Sequence, residues 1–322
     1  MNSQVTSVVE KSEPALDSAS ALLVSVIIPV FNDAERLKLC LKALAQQTYG
    51  QSHFEVIVVD NGSDHPELIR EAVKPYPNVR LAVEPTPGSY AARNHGLSLA
   101  QGEVIAFTDA DCIPSPDWLA AGVEVLTQTP NCGQVVGKVN LFFADPQRPT
   151  AVELYESLTA FPQEKLLREF HGGATANVFT WRRVIDRVGL FNTRLKSNGD
   201  LEWGERVFQA GYAQVYVAHV QVGHPARRSL AELHKRTVRL SGGVFDRLIK
   251  PDTSFVQRQK MFARLLIDDL TPPVNFVINT FRNPDLQHWQ YKLKASLVIF
   301  FVRYISAGEK IRLKFGGASN RG

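Results

Sequence analysis

The sequence predicts an α/β protein built on a doubly wound, mostly parallel sheet flanked by helices and followed by a helical C-terminal region. Three observations predict it. Residues 22–30 (LLVSVIIPV) and 54–60 (FEVIVVD) are near-continuous apolar runs rich in β-branched residues, the pattern of strands buried on both faces of a parallel sheet. Helical segments separate these runs, and alternation of strand and helix implies crossover connections. Acidic residues fall at the carboxyl ends of predicted strands, where such sheets bind ligands.

The elements follow in order. After the first strand, Leu37, Leu41 and Leu44 place an apolar stripe on a helix over 34–47, with Asp33 as the expected N-cap. After the second strand come a helix over 66–73, a strand over 79–84, a helix over 89–100 and a strand over 103–108. Residues 132–143 read as a further strand. From 151 to 183 the pattern is mixed and places no element. Residues 200–210 read as a helix and 214–218 as a short strand. Beyond Ser229 the chain reads as helical, interrupted at Pro251 and at Pro272-Pro273. The expected organisation is a flexible tail over 1–20, an α/β domain over 21–245 with a division at 112, and a helical appendage over 246–322.

Composition narrows the function. A net charge of +4 over 322 residues is too small to argue for a nucleic-acid partner. The first residues carry no basic start followed by an apolar block, so no secretory signal is read there. Cys40, Cys112 and Cys132 lack metal-type spacing. An odd cysteine count without a secretion signal fits reduced thiols in a cytoplasmic setting. No apolar run reaches the roughly 18 residues of a membrane span.

Three motifs carry chemistry. FTDADC (107–112) puts Asp109 and Asp111 two residues apart after a buried strand. Carboxylate oxygens are hard ligands, and Mg²⁺ is commonly held by one or two of them together with substrate phosphates; the plainer reading is that they cap the helix containing Trp118. VVDNGS (58–63) ends its strand at Asp60, which can accept from a base or a ribose hydroxyl, or simply shape a turn. In the segment from Pro87 to Asp111, Gly88 and Ser89 open a helix whose N-terminus favours phosphate. Arg93 lies within it, either near a ligand or as a solvated helix charge.

Taken together, VSVIIPVFND (24–33), VVDNGS and GSYAARNHGLSLAQGEVIAFTDADC resemble, in order and spacing, family 2 of the glycosyltransferases, with the GT-A fold. The resemblance covers about residues 22–245 and implies a catalytic domain over 21–245, with a nucleotide-binding half over 21–112 and an acceptor-side half over 113–245. It implies transfer of a sugar from a nucleotide-diphosphate donor with Mg²⁺ or Mn²⁺, to a saccharide or lipid-linked acceptor, in cell-surface polysaccharide or glycolipid synthesis. Pro29 and Phe31 would border the nucleobase pocket, Asp60 would hold the base, and Arg93 would lie near the donor. Asp109 would touch ribose or the hydrated metal, and Asp111 would bind the metal directly. The segment 171–195 resembles the family's acceptor side, with Gly172, Gly173 and Asn177 at its small and polar positions. The helix start NGDLEWGER resembles the family's acidic pair followed by Gly-x-Arg, but Gly199 stands at the first acidic position. Asp200 is then the general base of an inverting transfer, with an N-cap as the alternative and Glu202 on a different helix face. His224 matches a residue that completes the metal or diphosphate site, with His219 as its rival. Arg227 and Arg228 are expected to meet phosphate or to face water. The family's Gln-x-x-Arg-Trp pattern, carried by membrane polymerising synthases, is absent, which favours one sugar per encounter.

Other classes fit less well. A nicotinamide dehydrogenase needs a Gly-rich turn after its first strand, where this chain has Pro-Val-Phe-Asn-Asp. A nucleotidyltransferase lacks its usual Gly-rich basic loop here. A catalytically degenerate nucleotide-sugar-binding or partner-binding protein stays open because of Gly199. In the last forty residues, aromatic and apolar side chains from Trp289 to Tyr304 alternate with Lys292, Lys294, Arg303, Lys310, Arg312 and Lys314. That mixture predicts peripheral attachment to the inner face of the cell membrane; packing on the catalytic domain or a homodimer contact is the alternative.

Overall fold

The computed structural model describes residues 22–249 and 253–319. The tail over 1–20 and the interruption at Pro251 lie outside the described residues. The first apolar run forms β1 (Val24–Val30), and the leucine stripe forms α1 (Ala34–Ala45), with Leu37, Leu41 and Leu44 buried. Asp33 occupies the N-cap position but makes no capping bond; its carboxylate takes a hydrogen bond from Arg36 at 3.1 Å. Then come β2 (Phe54–Asp60), α2 (Pro66–Val73), β3 (Val79–Val83), α3 (Ser89–Leu99) and β4 (Val104–Thr108). β3, β2, β1 and β4 lie side by side, all parallel. This half follows the sequence pattern closely, because each strand is buried on both faces and each helix keeps one apolar side.

The second half reverses direction. A two-residue strand β5 (Ile113–Pro114) precedes α4 (Trp118–Gln128) and β6 (Cys132–Phe142). The stretch that reads as mixed resolves into α5 (Ala151–Thr159), α6 (Gln163–Phe170), β7 (Asn177–Trp181) and α7 (Arg182–Val188). β7 is wholly buried and runs antiparallel to both β4 and β6, so the eight-stranded sheet is mixed, in the order β3-β2-β1-β4-β7-β6-β8-β5. Asn177 ties this junction together. Its amide donates to the carbonyls of Lys138 and Val220, both at 2.9 Å, and accepts from the Trp118 indole at 2.9 Å.

After α8 (Gly199–Gln209), β8 spans Ala213–Pro225, far longer than the expected 214–218. The reason is a bulge. β8 pairs in parallel with β6 up to Val217, slips, and resumes at Gln221. Ala218 and His219 are exposed at the slip, while Val220, Val222 and His224 are buried beyond it. The extra residues break the alternation on which a strand is recognised. The resumed stretch pairs with β5, Ile113 opposite Gly223, which brings the chain after Asp111 against the chain before His224.

The remaining chain is helical: α9 (Leu230–Leu248), α10 (Phe255–Leu270), α11 (Val274–Arg282) and α12 (Trp289–Lys314). Ser229 and Glu232 form a capping box at the start of α9. One face of α12 packs on α5 and α9, where Val298 joins Val152, Tyr155 and Leu233, and Ala295 joins Leu154 and Leu286. Its opposite face is open: Trp289, Leu293, Leu297, Phe300, Tyr304 and Ile311 are all exposed. Among the described residues, no helix is long and apolar enough to cross a membrane.

Candidate active site

Beyond the carboxyl ends of β1, β2 and β4 lies a cavity of about 540 Å³. Of the residues singled out from sequence, Pro29, Phe31, Arg93, Asp109, Asp111, Asp200 and His224 line it. Asp60 is buried beneath the rim, its Oδ1 accepting the Ser63 backbone N–H at 2.9 Å, and its neighbour Asn61 reaches the cavity instead.

The loops that follow β1 and β2 are tied to neighbouring segments. Asn61 donates to the carbonyls of Glu84 and Thr86 and accepts the Gly88 N–H, at 2.9, 2.8 and 2.5 Å. Asn32, in a left-handed conformation with φ 53°, receives and returns bonds with Asp64. These contacts fix the β1 and β2 exits relative to the start of α3. Phe31 projects from this rim, 56% exposed, beside Pro29. An exposed aromatic at a cavity mouth is suited to cover a planar base. Arg93 is not a solvated charge: it is 4% exposed and its Nη2 donates to Asp109 Oδ1 at 2.5 Å.

Asp111 and His224 meet at one end of the cavity. His224 Nε2 lies 3.2 Å from Asp111 Oδ2, and Nδ1 lies 2.8 Å from the Pro225 carbonyl oxygen. The carbonyl can only accept, so Nδ1 carries the proton and donates. Nε2 then faces a carboxylate and needs either a second proton or a cation between them. Burial opposes charge on His224, but the hydrogen bond and charge of Asp111 outweigh it and hold the imidazole above its ordinary pKa. Burial likewise opposes charge on Asp111, and the His224 bond overrides it to hold that carboxyl below the usual range. An oriented imidazole backed by a carbonyl is the usual arrangement for a metal ligand. The described residues contain no group of three or more acidic, His or Cys side chains able to hold an ion. Asp111 and His224 therefore fit a divalent ion whose remaining ligands are phosphate oxygens and water. Neither Asp109 nor Asp111 caps α4, whose N-cap is Asp117. His219 is exposed at the bulge and does not line the cavity.

Asp200 stands on the cavity wall in the first turn of α8. It is not the N-cap; that position is Asn198, with φ 59°. Asp200 Oδ1 accepts from the Leu201 N–H at 3.0 Å and from the Tyr90 hydroxyl at 3.3 Å. Burial pushes its pKa above the usual carboxylate value, against the pull of Arg93 and nearby backbone N–H groups. Glu202 faces away, paired with Arg206 at 2.9 Å.

Tyr90 is a site residue that the sequence reading missed. Its hydroxyl accepts the Gly199 N–H at 2.8 Å, and its ring stacks on Phe191. A Cβ on Gly199 would fall 2.7 Å from the Tyr90 ring. The side chain absent at position 199 is therefore replaced in space by one from α3. The sequence signal was Tyr90 inside GSYAARN, read there as part of a helix start. Arg236 and Arg239, from α9, also line the cavity, and no motif in the sequence marks them. Arg227 lines it too, whereas Arg228 is exposed and does not.

The family profile of glycosyl transferase family 2 matches residues 25–189, just over half of the chain. The chain belongs to glycosyl transferase family 2. Glycosyltransferase AglE of Haloferax volcanii is 39% identical over 224 residues, covering 68% of this chain and 72% of that one. An uncharacterized glycosyltransferase of Escherichia coli, YibD, is 36% identical over 89 residues, covering 27% of this chain and 25% of that one. Among solved structures, the mannosyltransferase PcManGT from Pyrobaculum calidifontis, in complex with GDP-Man and Mn²⁺, superposes with a TM-score of 0.60 at 19% identity. That superposition covers 93% of this chain and 90% of that one. This family 2 glycosyltransferase has the GT-A fold.

Proposed function

We propose that the enzyme transfers one sugar per encounter from a nucleotide-diphosphate donor to an acceptor hydroxyl, with inversion at the anomeric carbon and with Mg²⁺ or Mn²⁺. The observation that carries the reading is the convergence of Asp111–His224 and Asp200 on one cavity. Phe31, Pro29 and Asn61 would receive the base, with Asp60 shaping the loop beneath it. Arg93 would hold Asp109 in place to meet ribose or hydrated metal. Asp111 and His224 would hold the divalent ion, which supplies positive charge to the departing diphosphate. Asp200 would take the acceptor proton as the acceptor oxygen bonds to the anomeric carbon and the bond to the donor phosphate breaks. Tyr90 would act as a positioning residue for Asp200. Its occupation of the space beside Gly199 argues against a degenerate, substrate-binding protein, because the base is supported rather than abandoned.

The acceptor is proposed to be lipid-linked, and the enzyme to contact a membrane through α12. The exposed residues of α12 recur at helical spacing on one side and run along about 39 Å of helix. The basic residues expected to assist are largely engaged within the fold. Lys310 is buried on Asp269 at 2.6 Å, Arg303 donates to the Asp269 carbonyl at 2.9 Å, and Lys314 reaches Gln259 at 2.6 Å. Apolar area, more than charge, would carry this contact; a homodimer through the same stripe is the other outcome of its test.

The catalytic reading is tested by Asp111→Ala. Transfer is expected to be abolished, and nucleoside diphosphate is expected to lose its metal-dependent thermal stabilisation. Undiminished metal-dependent activity in the purified variant would overturn the assignment.

A further inference from the structure

The cavity wall formed by α9 and the segment before it carries more positive charge than the fold neutralises. Arg227, Arg236 and Arg239 all face the cavity. Arg227 and Arg236 share one carboxylate, that of the fully buried Glu156, at 3.0 and 3.7 Å. The Arg227 backbone N–H takes the other oxygen of Glu156 at 2.8 Å. Arg239 makes no hydrogen bond or ion pair with any described residue, although its α9 position points it inward. Three guanidinium groups thus answer to one carboxylate.

Of the other cavity carboxylates, three are paired elsewhere, while Asp200 makes no ion pair with a described residue and lies within the field of Arg239. Asp109 is held by Arg93, Asp111 by His224 and Asp33 by Arg36. Burial disfavours the charges of Arg236 and Arg239, and the neighbouring Arg227 cation disfavours them further. Holding like charges together in a half-desolvated wall costs free energy that a bound anion offsets. Planar guanidinium forks match the oxygens of phosphate better than any other common anion-binding side chain. These arginines lie outside the segment matched by the family profile, which ends at residue 189.

We propose that Arg227, Arg236 and Arg239 form a subsite for a phosphate group carried by the acceptor. The proposal rests on the reading of this cavity as a nucleotide-sugar transferase site. It assigns the phosphate to the acceptor because the donor diphosphate already has Asp111–His224 and the N-terminus of α3. The field of Arg239 also reaches Asp200, the proposed base, beside which an acceptor hydroxyl must lie. α9 packs in turn against α12, whose open stripe suits a lipid chain. A phosphate gives an acceptor a fixed anchor, so that its reacting end is presented to Asp200 in one orientation.

The test uses the full chain with saturating nucleoside diphosphate and Mn²⁺, and titrates octyl phosphate, octanol and inorganic phosphate by calorimetry. Octyl phosphate is expected to bind to the nucleotide-loaded enzyme and octanol not to. Arg239→Gln and Arg236→Gln are each expected to weaken octyl phosphate at least tenfold, with nucleoside diphosphate affinity unchanged. The exposed Arg228→Gln should weaken neither, and unliganded melting temperatures identify any variant that has lost its fold. Tighter binding of octyl phosphate than of inorganic phosphate assigns a lipid phosphate; equal binding assigns a phosphorylated solute. Loss of nucleoside diphosphate affinity in Arg239→Gln, with octyl phosphate unaffected, would overturn the proposal by giving the arginines to the donor. No binding of either phosphate probe to the nucleotide-loaded enzyme would overturn it as well. Failure of nucleoside diphosphate itself to bind with Mn²⁺ would instead strike at the transferase reading.

Discussion

Asp200, the proposed base, is held in a buried wall that opposes its charge. Its unfolded pKa is near the ordinary value of about 3.9, and burial raises the folded value. A carboxyl raised on folding contributes stability that is present below the unfolded pKa and lost as pH rises through the folded one. Asp200→Asn, which cannot ionise, is therefore expected to melt higher than the native enzyme at pH 7 without ligands, with the gap closing below pH of about 4. The same variant should keep donor binding and lose turnover by at least ~10²-fold. A variant no more stable at neutral pH and near-normal in turnover would make Asp200 a structural residue. Gly199 supplies a second prediction at this scale. Its Cβ position falls on the Tyr90 ring, so Gly199→Asp should destabilise by about 1–3 kcal/mol, the usual cost of overpacking. Adding Tyr90→Ala should restore part of that loss in denaturant titration. Independent, additive costs would show that the two positions do not compete for one space.

At the scale of elements, α12 divides its two faces between core and surface. Val298, Ala295 and Leu313 are buried, while Leu297 and Tyr304 are 60% and 65% exposed. Exposed aromatic and aliphatic groups repeating on one side of a helix mark an interaction surface. The double change Leu297→Glu with Tyr304→Glu is expected to leave the melting temperature within a few degrees and to abolish co-sedimentation with vesicles. Because Lys310 and Arg303 are engaged internally, native binding should depend only weakly on salt. Absence of vesicle binding together with a dimer that these changes dissociate would assign the stripe to a second copy. β8 illustrates the limit of pattern reading at this scale. Val220, Val222 and His224 alternate as a strand should, but the bulge at Ala218 and His219 separates them from the first part. β7 was hidden for another reason: all five residues are buried, and a short run without alternation is indistinguishable from a buried turn of helix.

For the molecule as a whole, the C-terminal helices are continuous with the catalytic fold in packing. α12 covers apolar residues of α5 and α9, including Val152, Tyr155, Leu154 and Leu233. Removal of residues 289–322 is expected to expose them, lower the melting temperature by more than ten degrees and reduce the yield of folded protein. An equally stable truncated protein would show that this packing contributes little. Glu156, on α5 beneath the arginines, links the same helices to the cavity, so the C-terminal region supports the site as well as the surface.

The sequence by itself determined the family, the parallel half of the sheet and, within the cavity lining, Pro29, Phe31, Arg93, Asp109, Asp111, Asp200 and His224. Those features are encoded locally: double-sided burial makes an uninterrupted apolar run, and Asp109, Asp111 and Asp200 belong to short motifs read in order. Only the tertiary structure decided the partnerships. Asp111 and His224 are 113 positions apart (224 − 111) and meet because β5 pairs with the far end of β8. Tyr90 occupies the space at Gly199 because α3 and α8 converge on one cavity. Glu156 gathers Arg227 and Arg236 from other segments. A linear pattern records which face of an element is apolar; which distant side chain fills a gap or neutralises a charge depends on packing across elements, and that is fixed only when the chain folds.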